Sequence, residues 1–309
     1  MALHNDGSGW TQVPTQNPGL ESNRLYAVDG ASDDDVWAVG TSGDGTLIEH
    51  WDGTAWTVAP GPSVPNAFTL LSGVSAASAA DTWAVGSSQD ASSGVTSTVI
   101  EHWDGKSWTI TPSPNPGETI SELFGVSARS ADDAWAVGSF DDATGTFHNL
   151  VLHWNGTAWS ATSAPSPGLK DNTLFSAVSL GRDDAWAVGY AADGTQESAK
   201  SPVTLHWDGS VWNLVPSPEL SAQLNGVAAT PDGQLWAAGY HEVPATTLIE
   251  RWDGSAWRVI RSQNHQGGVP NYLVGIALGQ RAEFAWAVGS GLSTQGQWRT
   301  LTEKPCAAS

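Results

Sequence analysis

The phrase Asp184-Ala185-Trp186-Ala187-Val188-Gly189, followed by His206-Trp207-Asp208-Gly209-Ser210-Val211-Trp212, decides the fold because both halves recur along the chain. The first half reads DVWAVG at 35–40, DTWAVG at 81–86, DAWAVG at 133–138, QLWAAG at 234–239 and FAWAVG at 284–289. Its tryptophans, Trp37, Trp83, Trp135, Trp186, Trp236 and Trp286, stand 46, 52, 51, 50 and 50 residues apart. The second half reads HWDGTAW at 50–56, HWDGKSW at 102–108, HWNGTAW at 153–159 and RWDGSAW at 251–257. Ahead of each first half lies a short apolar strand: LYAV, LSGV, LFGV, FSAV, LNGV or LVGI. Each unit therefore offers four strands of about five residues, with turn residues between them and no helical period. Units of roughly 40–50 residues with four strands are propeller blades.

The expected fold is all-β: one six-bladed β-propeller spanning residues 1–309. The sixth unit runs on after Trp286 to RTLTEKPCAAS without a second phrase, while His4-Asn5-Asp6-Gly7-Ser8-Gly9-Trp10-Thr11-Gln12-Val13-Pro14 matches residues 50–60 register for register. Blade six is thus expected from about 271–304 together with the N-terminal strand of residues 1–14, an arrangement that removes open sheet edges. Small residues at Ala27, Gly73, Gly125, Ala177, Gly226 and Gly275 place the first strand of each blade innermost, where converging strands leave little room.

Composition agrees. The 309 residues include 34 Gly, 17 Pro and 18 Trp against one Met and one Cys. Twelve Lys and Arg face 32 Asp and Glu, a net charge of −20. That balance opposes nucleic acid, which is bound by neutralising phosphates, and anionic membrane surfaces. Neutral, cationic or metal-bound ligands remain. Cys306, being single, forms no intrachain disulfide. Residues 1–10 carry no leader pattern, so the chain as given reads as cytoplasmic, or secreted if a signal peptide precedes it. No apolar run reaches the roughly 18 residues of a membrane span.

The WAVG strand followed by a W-D-G-x-x-W turn resembles the Asp-box (BNR-type) repeats of sialidase-like and photosystem-assembly propellers. The resemblance covers essentially the whole chain as architecture. It departs in its turn, where Asp52 and Gly53 are adjacent instead of separated by one residue. The arginine triad, tyrosine nucleophile and acid of a sialidase have no counterpart motif, so the likeness implies the fold and leaves activity open.

Whatever repeats in every blade is read as scaffold, and departures from the repeat as the place of function. His50, His102, His153 and His206, with His4 in the matching place, are expected to bond between strands. The acids Asp35, Asp81, Asp133 and Asp184 are read as turn caps, and the tryptophan columns as core between blades. No metal-ligand spacing is present and no cofactor is expected.

The departures gather where the chain enters strand one. The mouth positions read Arg24, Leu70, Glu122, Leu174, Gln223 and Tyr272, preceded by Asn23, Thr69, Ser121, Thr173, Ala222 and Asn271. After WAVG, blades four and five carry Tyr190 and Tyr240, with His241 following. Blade three carries Phe140 and His148; blade six carries Trp298 and an irregular entry with His265. An aromatic wall with a few convergent polar groups suits a small-molecule pocket.

The expected function is binding of a neutral or cationic small molecule, glycan or peptide at the axis, by Arg24, Asn23, Phe140, Tyr190, Gln223, Tyr240, Asn271 and Trp298. One alternative is a cyclase, lyase or isomerase using Glu122, Tyr272, His148 and His241 as acid–base groups. The other is a protein-interaction scaffold. A monomer is expected throughout.

Overall fold

The computed structural model describes residues 2–5, 9–19, 22–43, 45–194, 200–262, 264, 270–279 and 285–304. Among these the chain is all-β, with no helix, and has the fold of a six-bladed β-propeller. His265, Cys306, Phe284 of the sixth phrase and the Asp6-Gly7-Ser8 turn lie outside the described residues.

Five blades are four-stranded meanders in chain order. Blade one is Asn23–Ser32, Asp35–Ser42, Gly45–Trp51 and Trp56–Val58; blade two is Ala67–Ser78, Asp81–Asp90, Thr96–Trp103 and Trp108–Ile110. Blade three is Ser121–Ser130, Asp133–Asp141, Phe147–Trp154 and Trp159–Ala161. Blade four is Asp171–Gly181, Asp184–Ala192, Lys200–Trp207 and Trp212–Leu214; blade five is Ala222–Ala229, Leu235–His241, Thr246–Trp252 and Trp257–Ile260. The sixth sheet has three described strands, Asn271–Ala277, Trp286–Leu292 and Trp298–Glu303.

Two compact units divide the chain: Met1–Ala136 with Leu152–Ser160, and Val137–Val151 with Ala161–Ser309. In the first, the WAVG tryptophan of one blade meets the third-strand tryptophan of the next, Trp37 on Trp103 and Trp83 on Trp154, both at 4.9 Å between ring centroids. The outer-strand tryptophans Trp108 and Trp159 close these clusters edge-on at 5.1 and 5.2 Å. The second unit repeats the arrangement with Trp186 on Trp252 at 4.9 Å and Trp257 at 5.6 Å. Trp83, Trp135, Trp236 and Trp257 are each 1% exposed, so these columns are core. Large rings supply much of the burial that thin sheets need.

The histidines bond within the blade as the sequence suggests. His50, His102, His153 and His206 reach Asp35, Asp81, Asp133 and Asp184 through Nε2 at 2.7, 2.8, 2.8 and 3.0 Å. Each imidazole also lies on the WAVG tryptophan of its own blade, at 4.1–4.4 Å between centroids. The acids read from sequence as turn caps are therefore the partners of the histidines, and the unit of repetition is a Trp–His–Asp column. Blade five departs in both members together: Gln234 replaces the acid, and Arg251 replaces the histidine with its guanidinium 5.7 Å over Trp236.

The second phrase makes a four-residue loop. Asp208 Oδ1 accepts the N–H groups of Ser210 and Val211 at 2.9 and 3.0 Å, and Gly209 takes φ of 91°, a conformation that favours glycine. The tryptophan before the loop anchors it: Trp207 Nε1 donates to Arg182 C=O at 3.1 Å, as Trp51, Trp103 and Trp154 do to their own turns.

Entry strands of successive blades approach closely within each unit. A Cβ on Gly73 would meet Phe124 C=O at 2.8 Å. Side chains bridge these strands, with Asp29 Oδ2 accepting the Ala76 N–H at 2.9 Å and Ser176 Oγ the Val227 N–H at 3.2 Å. A β-bulge interrupts the entry strand at the same place in blades one, two, four, five and six. This bulge corrects the sequence alignment of blade four by one residue. Ser176, which opposes Val188, holds the small position there in place of Ala177. Likewise Thr173 stands at the mouth, because Leu174 opposes Gly189 as Leu25 opposes Gly40, and is wholly buried.

The N-terminal segment forms a hairpin of Ala2–Asn5 with Trp10–Val13, pairing His4 with Thr11 and Asn5 with Trp10. His50 pairs Thr57 and Trp51 pairs Trp56 in the same register. The expected match of sequence is thus a match of structure, although the hydrogen-bonded neighbour of Trp10–Val13 is Ala2–Asn5. The hairpin lies on blade one, where the His4 ring is 6.1 Å from Trp51 and Gln16 Nε2 donates to Trp56 C=O at 3.3 Å. Trp103, Trp154 and Trp252 are met by the preceding blade at this same position.

Candidate functional site

The second unit holds the non-repeating residues of blades four, five and six, and Lys200 joins those of the first two. Strand pairing sets Thr173 opposite Tyr190, Gln223 opposite Tyr240, and Tyr272 opposite Ser290, so Gln223 and Tyr272 open the entry strands of their blades at equivalent places. Tyr240 and Tyr272 meet edge-to-face at 4.6 Å and 90°. Tyr272 lies 5.8 Å from Trp298, a residue that is 59% exposed. Tyr190 sits 5.8 Å from Phe175. The three tyrosines are half-buried.

Lys200, at the start of the third strand of blade four, reaches across to blade five. Its Nζ lies 4.5 Å from the Tyr190 ring centroid, donates to Gln223 Oε1 at 2.8 Å and is 3.3 Å from Glu242 Oε1. Gln223 Nε2 then donates to Asn225 Oδ1 at 2.7 Å, and Asn225 Nδ2 to Leu273 C=O at 2.6 Å. Asn225 is the bulge residue of blade five, and the bulge directs its side chain at blade six. A relay of hydrogen bonds thus crosses three blades behind the aromatic wall.

The electrostatics follow from burial and from Glu242. Burial raises the Tyr190 phenol, opposed by a hydrogen bond with Thr173 and reinforced by the charges of Asp171 and Glu242. Burial pushes Tyr240 up to about 12, with Glu242, Tyr272 and Tyr190 adding to it. Both phenols stay protonated at neutral pH. Nearby, His241 Nδ1 is 3.8 Å from Glu219 Oε2.

The other sequence candidates have surroundings of their own. His148 Nε2 bonds Asp142 Oδ2 at 2.8 Å, 5.4 Å from the Phe140 ring, within one loop of blade three. Asp142 is held below the usual carboxylate range by His148 first, then by Thr144 and Thr146. Asn23 brackets Gly19, accepting its N–H and donating to its C=O at 3.3 Å. Asn172 does the same to Gly168 in blade four. Asn271 is 1% exposed, its N–H on Ala245 C=O at 3.0 Å. Arg24 is exposed on blade one, and Glu122 is half-buried in blade three, its carboxyl raised by desolvation.

Lys200, Glu242 and Asn225 escaped the sequence reading. Asn225 occupies the bulge, a position that a four-letter strand motif does not reveal. A separate cavity of about 460 Å³ lies at the opposite end of the entry strands, lined by Val178, Ser179, Leu180, Ala229, Thr230 and Leu278 among others.

Neither a family model nor a curated protein matches the sequence. Solved structures do match in fold, and they are β-propeller proteins. The chain is similar to YCF48 bound to D1 peptide at 16% identity and a TM-score of 0.50, covering 92% of this chain and 88% of that one. It is similar to a streptogramin B lyase at 16% identity and a TM-score of 0.55, covering 89% and 82%. It is also similar to a catalytically inactive virginiamycin B lyase variant from Staphylococcus aureus with quinupristin, at 12% identity and a TM-score of 0.57, covering 89% and 83%. At these identities the likeness extends to the fold alone.

Proposed function

We propose that this chain is a ligand-binding propeller whose site is the aromatic wall of blades four to six, and that it takes a small molecule, glycan or peptide. The observation that carries the reading is the run of Tyr240, Tyr272 and Trp298, in which Tyr272 touches the other two rings and the Trp298 indole is largely open to solvent. Rings of this kind offer large, rigid contact area at little entropic cost. The relay from Lys200 to Leu273 holds the blades that bear them in register. Monomeric action and the closer kinship to Asp-box repeats belong to the same proposal.

Binding is favoured over the cyclase, lyase or isomerase alternative because two of its four acid–base candidates already face acidic partners: His148 is bonded to Asp142, and His241 neighbours Glu219. Among similar folds, one structure contains a peptide and another quinupristin, which suits a ligand of that general size.

Crystals soaked in a chemically diverse ligand mixture test the reading. Density against Tyr240, Tyr272 and Trp298 is the expected result. Density confined to the cavity of Val178, Ala229 and Leu278 would move the site to the opposite face.

A further inference from the structure

The Lys200 ammonium shows what the wall stabilises. It is surrounded by an aromatic face at 4.5 Å, an amide oxygen at 2.8 Å and a carboxylate at 3.3 Å. That is the set of partners an organic ammonium seeks: a ring quadrupole, a neutral acceptor and a counter-charge. Tyr240, Tyr272 and Trp298 form a second run of rings, which Lys200 does not occupy.

The charge around the wall points the same way. Glu242 acts on both Tyr190 and Tyr240, Asp171 acts on Tyr190, and Glu219 stands beside His241. Of these carboxylates, Glu242 pairs with the Lys200 ammonium at 3.3 Å. The phenols remain neutral and present the negative faces of their rings. An anionic ligand would meet this surplus of carboxylates, and an uncharged one would gain nothing from the field. The chain as a whole, at −20, draws cations toward its surface.

Resting on the reading of the wall as a ligand site, we infer that its ligand is an organic cation, whose ammonium group lies on the rings of Tyr240, Tyr272 and Trp298 within reach of the Glu242 carboxylate. The ligand's ammonium then repeats, one blade further on, the environment that Lys200 has beside Tyr190. Trp298 is the specificity-determining ring because indole is the strongest aromatic partner for a cation.

Calorimetric titration with choline and with dimethylbutanol, its uncharged carbon isostere, tests the inference. Choline is expected to bind at least tenfold more tightly than the alcohol, and more weakly as salt is raised. Glu242→Gln is expected to shrink that preference. Trp298→Ala, checked for an unchanged melting profile, is expected to weaken choline at least tenfold. Equal binding of the two probes, both lost in Trp298→Ala, would overturn the cation inference and leave the wall as the ligand site. Choline binding that survives both Trp298→Ala and Tyr272→Ala would overturn the inference and the wall together. Failure of both probes to bind overturns the inference, and the soaked crystals then decide the wall separately.

Discussion

The Trp–His–Asp columns of blades one to four and the aromatic wall of blades four to six use similar residues to opposite ends. In a column the histidine lies on a buried tryptophan and bonds an aspartate of the same blade, as His153 does with Trp135 and Asp133. In the wall, tyrosines from three blades are only half-buried, and hydrogen bonds run on from one blade to the next. Repetition marks groups that every blade needs in order to pack. Groups found once answer to something outside the fold.

Deleting residues 1–14 should have the largest effect. We propose that this hairpin also supplies the outer strand of blade six, by its register. Its removal strips Trp51 of the cover that Trp103, Trp154 and Trp252 receive from a preceding blade. Thermal unfolding should show a clear drop relative to deletion of 305–309, and equal melting temperatures would end the proposal.

Next comes the column itself. Trp135→Ala should cost roughly 3–5 kcal/mol in denaturant unfolding, as large-to-small changes in a core do. A loss below about 1 kcal/mol would mean that the column is not the main support.

A buried acid distinguishes the scaffold further. Glu101, 1% exposed in blade two, has its carboxyl pushed by desolvation from 4.5 to about 8. Its counterpart in blade five, Glu250, accepts the Ser217 hydroxyl at 2.7 Å, where blade two has Gly61. A group raised in the fold stabilises it fully below the unfolded value and loses that contribution as pH climbs through the folded one. Stability should therefore fall between about pH 4.5 and pH 8, by a few kcal/mol. Glu101→Gln should flatten that slope and be the more stable protein at about pH 8. An unchanged slope would place the titration elsewhere.

His153→Ala should cost less, about 1–2 kcal/mol, since it removes one hydrogen bond to a buried aspartate and one ring contact. It should leave ligand affinity of the folded protein unaltered. Lost affinity without lost stability would reverse its assignment.

The legibility of the sequence divides along the same line. Five WAVG phrases and one WAAG made the blades plain, and residues 4–14 showed their kinship to residues 50–60, because repeated packing demands repeated letters. Tyr190, Tyr240, Tyr272 and Trp298 stood out as departures, and the structure brings them to blades four to six. Lys200, Glu242 and Asn225 did not stand out, since their roles depend on long-range approach and on a bulge. The same bulge misled the alignment of blade four, where Thr173 and Ser176 take the places assigned to Leu174 and Ala177. The partners of His148 and Asn23 were not legible either, because polar side chains at turns look alike until the fold brings Asp142 and Gly19 to them.

The smallest expected change tests the division most directly. Trp298 is 59% exposed and belongs to no column, so Trp298→Ala should unfold in denaturant within about 1 kcal/mol of the parent protein, as surface changes usually do. A loss equal to that of Trp135→Ala would show that the wall holds the fold together, and would contradict the separation of scaffold from site.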